Sequence, residues 1–223
     1  MGAHYDSVEQ GPGINDNGSG VAVLLELMRH YQQQNIKPKH SLYFAFWDSE
    51  EDGVGGSQYF VSTLSESQLK GIQAYINLDM VGTKDPTLQI ADGDKSSINE
   101  MEKTFKANGA KEEDYKPLID SLAQIKLHAG DAILEQHLLR FFKSTGHTVQ
   151  EDLTTLGVSD TLPFLGKVPV TSIILFNPQL NENSELLFAP CYHQSCDTLE
   201  HIDPHSLELA SGAVLNLIDH LNK

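Results

Sequence analysis

Three short runs, SLYFAFW at 41–47, AYINLDM at 74–80 and VTSIILF at 170–176, constrain the fold most, because each is apolar or aromatic at nearly every position. A strand with one wet face alternates, whereas a strand covered on both faces reads as a continuous apolar run. All three therefore read as central strands of a sheet held between two layers. The stretches between them carry helical spacing instead. Gly18–Gln34 sets Val21, Leu24, Leu25, Leu27 and Met28 along one stripe, and similar patterns occupy Ser57–Leu64, Ser96–Ala107, Asp131–Thr145 and His205–Asn222. Strand alternating with helix predicts an α/β fold with a mostly parallel central β-sheet and helices on both faces. The 223 residues fit one such domain, 1–223, in which Asn108–Gly130, with its polar GAKEED run, reads as an irregular excursion.

Charge narrows the partners. A formal net charge of −16 repels phosphate backbones and anionic membrane surfaces, so no nucleic acid and no membrane partner is expected, and a cation is the natural one. The apolar runs fall far short of the roughly 20 residues that a membrane helix needs. No signal peptide opens the chain, so any export signal would lie upstream of Met1. Cys191 and Cys196 are the only cysteines; their spacing allows either a small disulfide loop or two reduced thiols.

The polar residues that follow apolar strands or sit in glycine-rich turns are His4 and Asp6 in GAHYDS, Asp16 in GINDNGSG, Glu50 and Glu51 after SLYFAFW, Asp79 closing YINLDM, and His193 in CYHQSC. Singly, each has a plain explanation: a surface histidine, a helix cap, a solvated acidic pair, a packed imidazole in a stapled loop. Asp79 is the hardest to explain so, since a carboxylate ending an apolar strand needs a partner or exposure. Collectively they mix imidazole and carboxylate donors without matching Lys or Arg, which suits a borderline divalent ion, zinc above all. Two ions sharing a carboxylate need about five protein ligands. His4, Asp16, Glu51, Asp79 and His193 supply them, with Glu50 left over. Neighbouring side chains leaving a strand point in different directions, so one glutamate binds metal while the other is free to take a proton from an activated water.

In this order, HYDS, GINDNGSG, WDSEEDGVGGSQYF, NLDM and CYHQSCDT closely resemble the co-catalytic zinc aminopeptidases of peptidase family M28, the compact bacterial secreted type in particular. The resemblance covers nearly the whole chain. It implies a zinc-exopeptidase-like fold and two Zn2+ ions, one held by His4 and Asp79, the other by Glu51 and His193, with Asp16 bridging. It further implies Glu50 as general base and then acid, Tyr192 as oxyanion donor, a Cys191–Cys196 disulfide, and often a cis peptide bond at Asp16–Asn17. The implied reaction is hydrolysis of the first peptide bond of substrates with a free amino terminus, with hydrophobic first residues such as leucine, by a monomer in a secreted or periplasmic compartment.

Two departures accompany the match. Relatives carry some tens of residues, including sheet strands, ahead of the first ligand histidine, where this sequence has only MGA, so an amino-terminally shortened member is expected. In GVSDTLPF, 157–164, Val158 stands where relatives often have arginine and Thr161 where they have histidine, leaving Asp160 read as a structural helix cap. Two alternatives compete with the aminopeptidase: a single-zinc acyltransferase resembling glutaminyl cyclase, and an inactive remnant that only retains zinc.

Overall fold

The computed structural model describes residues 1–180 and 186–222. Its main sheet has six strands, β1 (Gly2–His4), β2 (Ala45–Trp47), β3 (Tyr75–Asp79), β4 (Thr87–Ala91), β5 (Gln150–Asp152) and β6 (Val170–Phe176), in the order β2-β1-β3-β6-β4-β5. β2, β1, β3 and β6 run parallel, β4 runs antiparallel to β6, and β5 follows β4. The expected mostly parallel sheet is present, with one reversal.

Alternation along β3 divides the core. Ile76 and Leu78 face a layer built by α1 (Ser19–Gln33), α6 (Asp131–Ser144) and α7 (Pro204–Leu221), where Leu24, Leu27, Leu138 and Leu217 are almost wholly buried. Tyr75 faces the other way, into a cluster with Trp47, Val61, Leu122, Phe164 and Val170. That second layer draws on α2 (Gly55–Thr63), α4 (Ser97–Ala107) and α5 (Glu112–Gln124), with the short α3 (Glu66–Gly71) at its margin. Each such side chain contributes roughly 1.5–3 kcal/mol by leaving water. This double coverage makes β3 and β6 read as unbroken apolar runs.

Two expectations need correction. The run 41–47 is not central: only Ala45–Trp47 is strand, it pairs with β1 alone, and Tyr43 is 78% exposed. Leu42, Phe44 and Phe46 pack on one layer while Ala45 and Trp47 pack on the other. Apolarity on both faces reports cover above and below, and says nothing about lateral neighbours. The segment 108–130 is not irregular either, since it contains α5, with Tyr115, Ile119 and Leu122 buried at helical spacing. The polar run that read as loop supplies Glu112, Glu113 and Asp114 to its first turn, where acids complement the helix dipole.

Candidate metal centre

The parallel strands β1, β2 and β3 deliver four of the expected residues to one end of the sheet. His4 is the last residue of β1, Asp79 the last of β3, and Glu50 and Glu51 lie in the turn just after β2. Two other segments lean over that end: the turn Ile14–Gly18, which carries Asp16, and the Cys191–Cys196 loop, which carries His193. Gly20 lets α1 approach, because a Cβ there would lie 2.5 Å from Asn17 Oδ1 and 2.7 Å from Leu78 O. Ser49, Val54, Met80, Cys191 and His193 all have left-handed backbone, a conformation that non-glycine residues hold only where surrounding structure imposes it.

The five expected ligands and Glu50 converge. His4 Nε2 lies 3.3 Å from Asp16 Oδ1, 3.5 Å from Asp79 Oδ1 and 4.0 Å from Glu50 Oε2. His193 Nε2 lies 3.2 Å from Asp16 Oδ2 and 3.1 Å from Glu51 Oε2. The donor atoms form three trios, His4–Asp16–Asp79, Asp16–Glu51–His193 and His4–Glu50–Glu51, each within 4.8 Å. Asp16 belongs to the first two, facing His4 through one oxygen and His193 through the other. The Asp16–Asn17 peptide bond is cis.

A polar frame fixes these donors. His4 Nδ1 faces the backbone oxygen of Asp6 at 3.2 Å, which orients the ring and leaves Nε2 for the centre. The Asp6 carboxylate also accepts from the Glu51 amide at 3.2 Å. Asp197 accepts from the amides of Asn15 at 2.8 Å and Asp16 at 3.1 Å, while the Asn17 amide group donates to Leu78 O at 2.8 Å. The cysteines on either side of His193 are joined as a disulfide, and Tyr192 stacks on His193 with centroids 3.7 Å apart.

Charge is badly out of balance in this place. Burial opposes protonation of His4, yet Asp79 and Asp16 outweigh it and push the imidazole up to about 12. Burial and the charge of Asp79 push Glu50 up to about 8, and burial and Asp16 push Glu51 up to about 7. Asp16 goes the other way: burial works to raise it, but the two histidines hold it below the ordinary carboxylate range. The ion pairs of Arg29, Lys70, Lys103, Lys106, Lys111 and Lys116 lie elsewhere, with sequence-local acids. Asp79 Oδ1 and Glu51 Oε1 are buried without a hydrogen-bond partner. Orphaned lone pairs, excess negative charge and mixed N and O donors fit a divalent cation such as zinc, which would replace the protons the imidazoles otherwise carry.

Asp160 corrects another expectation. The residue preceding the 3-10 turn Ser159–Thr161 is Val158, and no side chain caps that turn. Asp160 itself is completely buried, neither of its oxygens has a hydrogen-bond partner, and burial pushes it up to about 7. Thr161 is spent locally, donating to Val158 O at 2.9 Å. Asp6 and Asp197 are framing residues to which the sequence reading gave no role; their partners come together only in the folded chain.

The sequence model of peptidase family M28 matches residues 1–118 and 121–218. The "probable lipoprotein aminopeptidase LpqL" of Mycobacterium tuberculosis is 34% identical, over 96% of this chain and 40% of its own length. Leupeptin-inactivating enzyme 1 of Streptomyces exfoliatus is 29% identical, over 96% of this chain and 42% of its own length. Among solved structures, a zinc aminopeptidase from Bacillus subtilis superposes with a TM-score of 0.68 at 27% identity, covering 98% of this chain and 44% of its own. The chain spans less than half the length of these relatives. It belongs to peptidase family M28.

Proposed function

We propose that this chain is a metallo-aminopeptidase that uses two zinc ions to release the first residue of peptides with a free amino terminus. The observation that carries this reading is Asp16, whose two carboxylate oxygens face different donor trios, as a bridging ligand requires. His4 and Asp79 would hold one ion, Glu51 and His193 the other. Bound zinc supplies Lewis-acid polarisation of the scissile carbonyl and a water acidified toward neutrality.

The chain's own side chains do the rest. Glu50, 4.0 Å from His4 Nε2 at the margin of the first trio, takes a proton from the attacking water and returns it to the departing nitrogen. Tyr192, held against His193, donates to the oxygen that gains charge as the carbonyl is attacked. The surplus of carboxylates attracts the substrate's ammonium. A hydrophobic first residue is proposed from relatives named leucine aminopeptidase 2, from Aspergillus and Trichophyton species among others. The disulfide fits a secreted or periplasmic setting.

Elemental analysis paired with leucyl-anilide hydrolysis tests the proposal. Close to two zincs per chain with turnover is the expected result. One zinc with cyclisation of amino-terminal glutamine would favour the acyltransferase, and metal without turnover the inactive remnant.

A further inference from the structure

Lysine and arginine are distributed unevenly along the chain. Residues 1–28, 40–69 and 168–222, the three segments that supply His4, Asp16, Glu50, Glu51 and His193, contain neither, and nor does 71–83 around Asp79. Three exposed acids on these segments are not among the metal ligands, and their carboxylates have no ion-pair partner among the described residues: Glu9, Asp52 and Glu200. Asp52 directly follows Glu51. Glu9 lies on the loop between His4 and Asp16, which is drawn against the Cys191–Cys196 loop, since a Cβ at Gly11 would lie 2.9 Å from Gln194 O. Glu200 lies on the 3-10 turn Leu199–His201, just past Asp197, whose carboxylate holds the amides of Asn15 and Asp16. Three separate segments thus each place a free acid on the rim of the centre.

Acids at the other end of the sheet are matched by donors. Because β4 runs antiparallel to β6, the loop after β4, residues 92–97, emerges opposite the carboxyl ends of β1, β2 and β3. Oxygens of Asp92, Asp94 and Glu135 cluster there within 4.8 Å of one another. Asp92 Oδ1 accepts from the amides of Asp94, Lys95 and Ser96 at 3.0, 2.6 and 3.2 Å, Oδ2 accepts from the amide and hydroxyl of Ser97 at 2.8 and 2.5 Å, and Glu135 accepts from the Gly93 amide. Nothing comparable meets Glu9, Asp52 and Glu200. Two divalent ions would offset the ligand carboxylates of the metal centre, but these three are not ligands and keep their charge. Exposed apolar side chains stand on the same segments: Tyr5, beside His4, is 58% exposed and Leu199, beside Glu200, is 75% exposed. Lysine and arginine combine an alkyl stem with a charged head, so a surface offering both apolar area and free carboxylates suits them.

Granted the aminopeptidase activity proposed above, on which this rests, we propose that the rim selects peptides with lysine or arginine shortly after the first residue, on the leaving side of the scissile bond. Every substrate brings one positive charge to the metals, its own amino terminus. A second one, trailing the bond, meets Glu9, Asp52 or Glu200 as the peptide enters. Screening sets the reach: an extended chain advances about 3.3 Å per residue and a charge is felt over roughly 8–10 Å at physiological salt, so the preference covers roughly the second to fourth residues. The same field repels peptides that carry acids there, which sharpens the discrimination.

The test is steady-state hydrolysis of the amidated peptides Leu-Gly-Lys, Leu-Gly-Gln and Leu-Gly-Glu by the zinc-saturated protein. At low salt, kcat/KM should be at least about fivefold higher for the lysine peptide than for the glutamate peptide, chiefly through KM, with the glutamine peptide between them. The ratio should approach one near 1 M salt, where the screening length is about 3 Å. Asp52→Asn should lower the low-salt ratio, and adding Glu9→Gln and Glu200→Gln should lower it further, to about half the parent's value or less. Any unfolded fraction cancels, because the same molecules cleave both peptides. Asp94→Asn removes one charge at the opposite end of the sheet and should leave the ratio at the parent's value. Equal kcat/KM for the three peptides at low salt overturns the proposal and leaves the aminopeptidase standing, whereas no turnover of any peptide or of leucyl-anilide overturns both. The proposal fails also if the triple variant keeps the parent's ratio, or if Asp94→Asn lowers it as much as Asp52→Asn does.

Discussion

At the carboxyl ends of β1–β3, imidazoles stand among the acids, and one carboxylate is shared between two donor trios. At the end of β4 there is no imidazole in the cluster, and backbone amides take up most of the negative charge on Asp92. The two gatherings of acid occupy opposite ends of one sheet and differ in what balances them. Mixed donors with orphaned lone pairs form a centre whose geometry is of little use without a cation. The amide-filled loop is a structure in its own right. Donor type, more than the number of acids, separates chemistry from scaffolding here.

The sharpest way to break the comparison is at Asp16. Asp16→Asn leaves one oxygen where two are used, so one trio loses its ligand outright and the other keeps only a neutral, weaker donor. Elemental analysis should show most zinc gone and hydrolysis abolished, while retention of two zincs would remove Asp16 from its bridging role. Glu50→Gln comes next. It should keep the parent's metal content and lose on the order of 100-fold or more in turnover, the usual scale for a lost acid–base group; parent-like hydrolysis would refute the role given to Glu50. Asp6→Asn acts at one remove, on the Asp6 carboxylate that lies 3.5 Å from His4 Nδ1 and accepts from the Glu51 amide. Zinc affinity should fall by roughly 10- to 100-fold, measured by chelator competition, with restoration of turnover at high zinc. Loss of turnover that excess zinc does not restore would place Asp6 in the chemistry itself.

The two ends also differed in how far they could be read from sequence. The centre was legible because its donors each follow a recognisable signal, a finished apolar run or a glycine-rich turn, and because five motifs occur in a familiar order. Its frame was not. Asp197 holds amides 182 and 181 positions away, a contact no local pattern announces. β1 is three residues long and β5 likewise, too short for periodicity to register. The reversal at β4 was invisible for a related reason, since TLQIA alternates on a sheet whose other inner strands do not. The acids opening α5 looked like loop because composition was weighed ahead of the apolar spacing that follows them. Glu135, on an ordinary amphipathic helix, gave no hint of the loop it meets.

The mildest perturbation asks whether the two ends are energetically separate. The Ser97 hydroxyl donates to Asp92 Oδ2 at 2.5 Å and accepts from the Leu153 amide at 3.2 Å, linking the β4 loop to the segment after β5. Ser97→Ala removes both bonds, yet Asp92 keeps the four amides that shape its loop. The Leu153 amide is left buried without that partner, so a loss of about 1–2 kcal/mol is expected in denaturant unfolding. Zinc content and turnover should stay at the parent's values, because sites far apart with no shared partner behave additively. A fall in turnover beyond what the unfolded fraction explains would show that the loop and the centre share a mechanical connection through β4 and β6, and the two ends would then have to be treated as one cooperative unit.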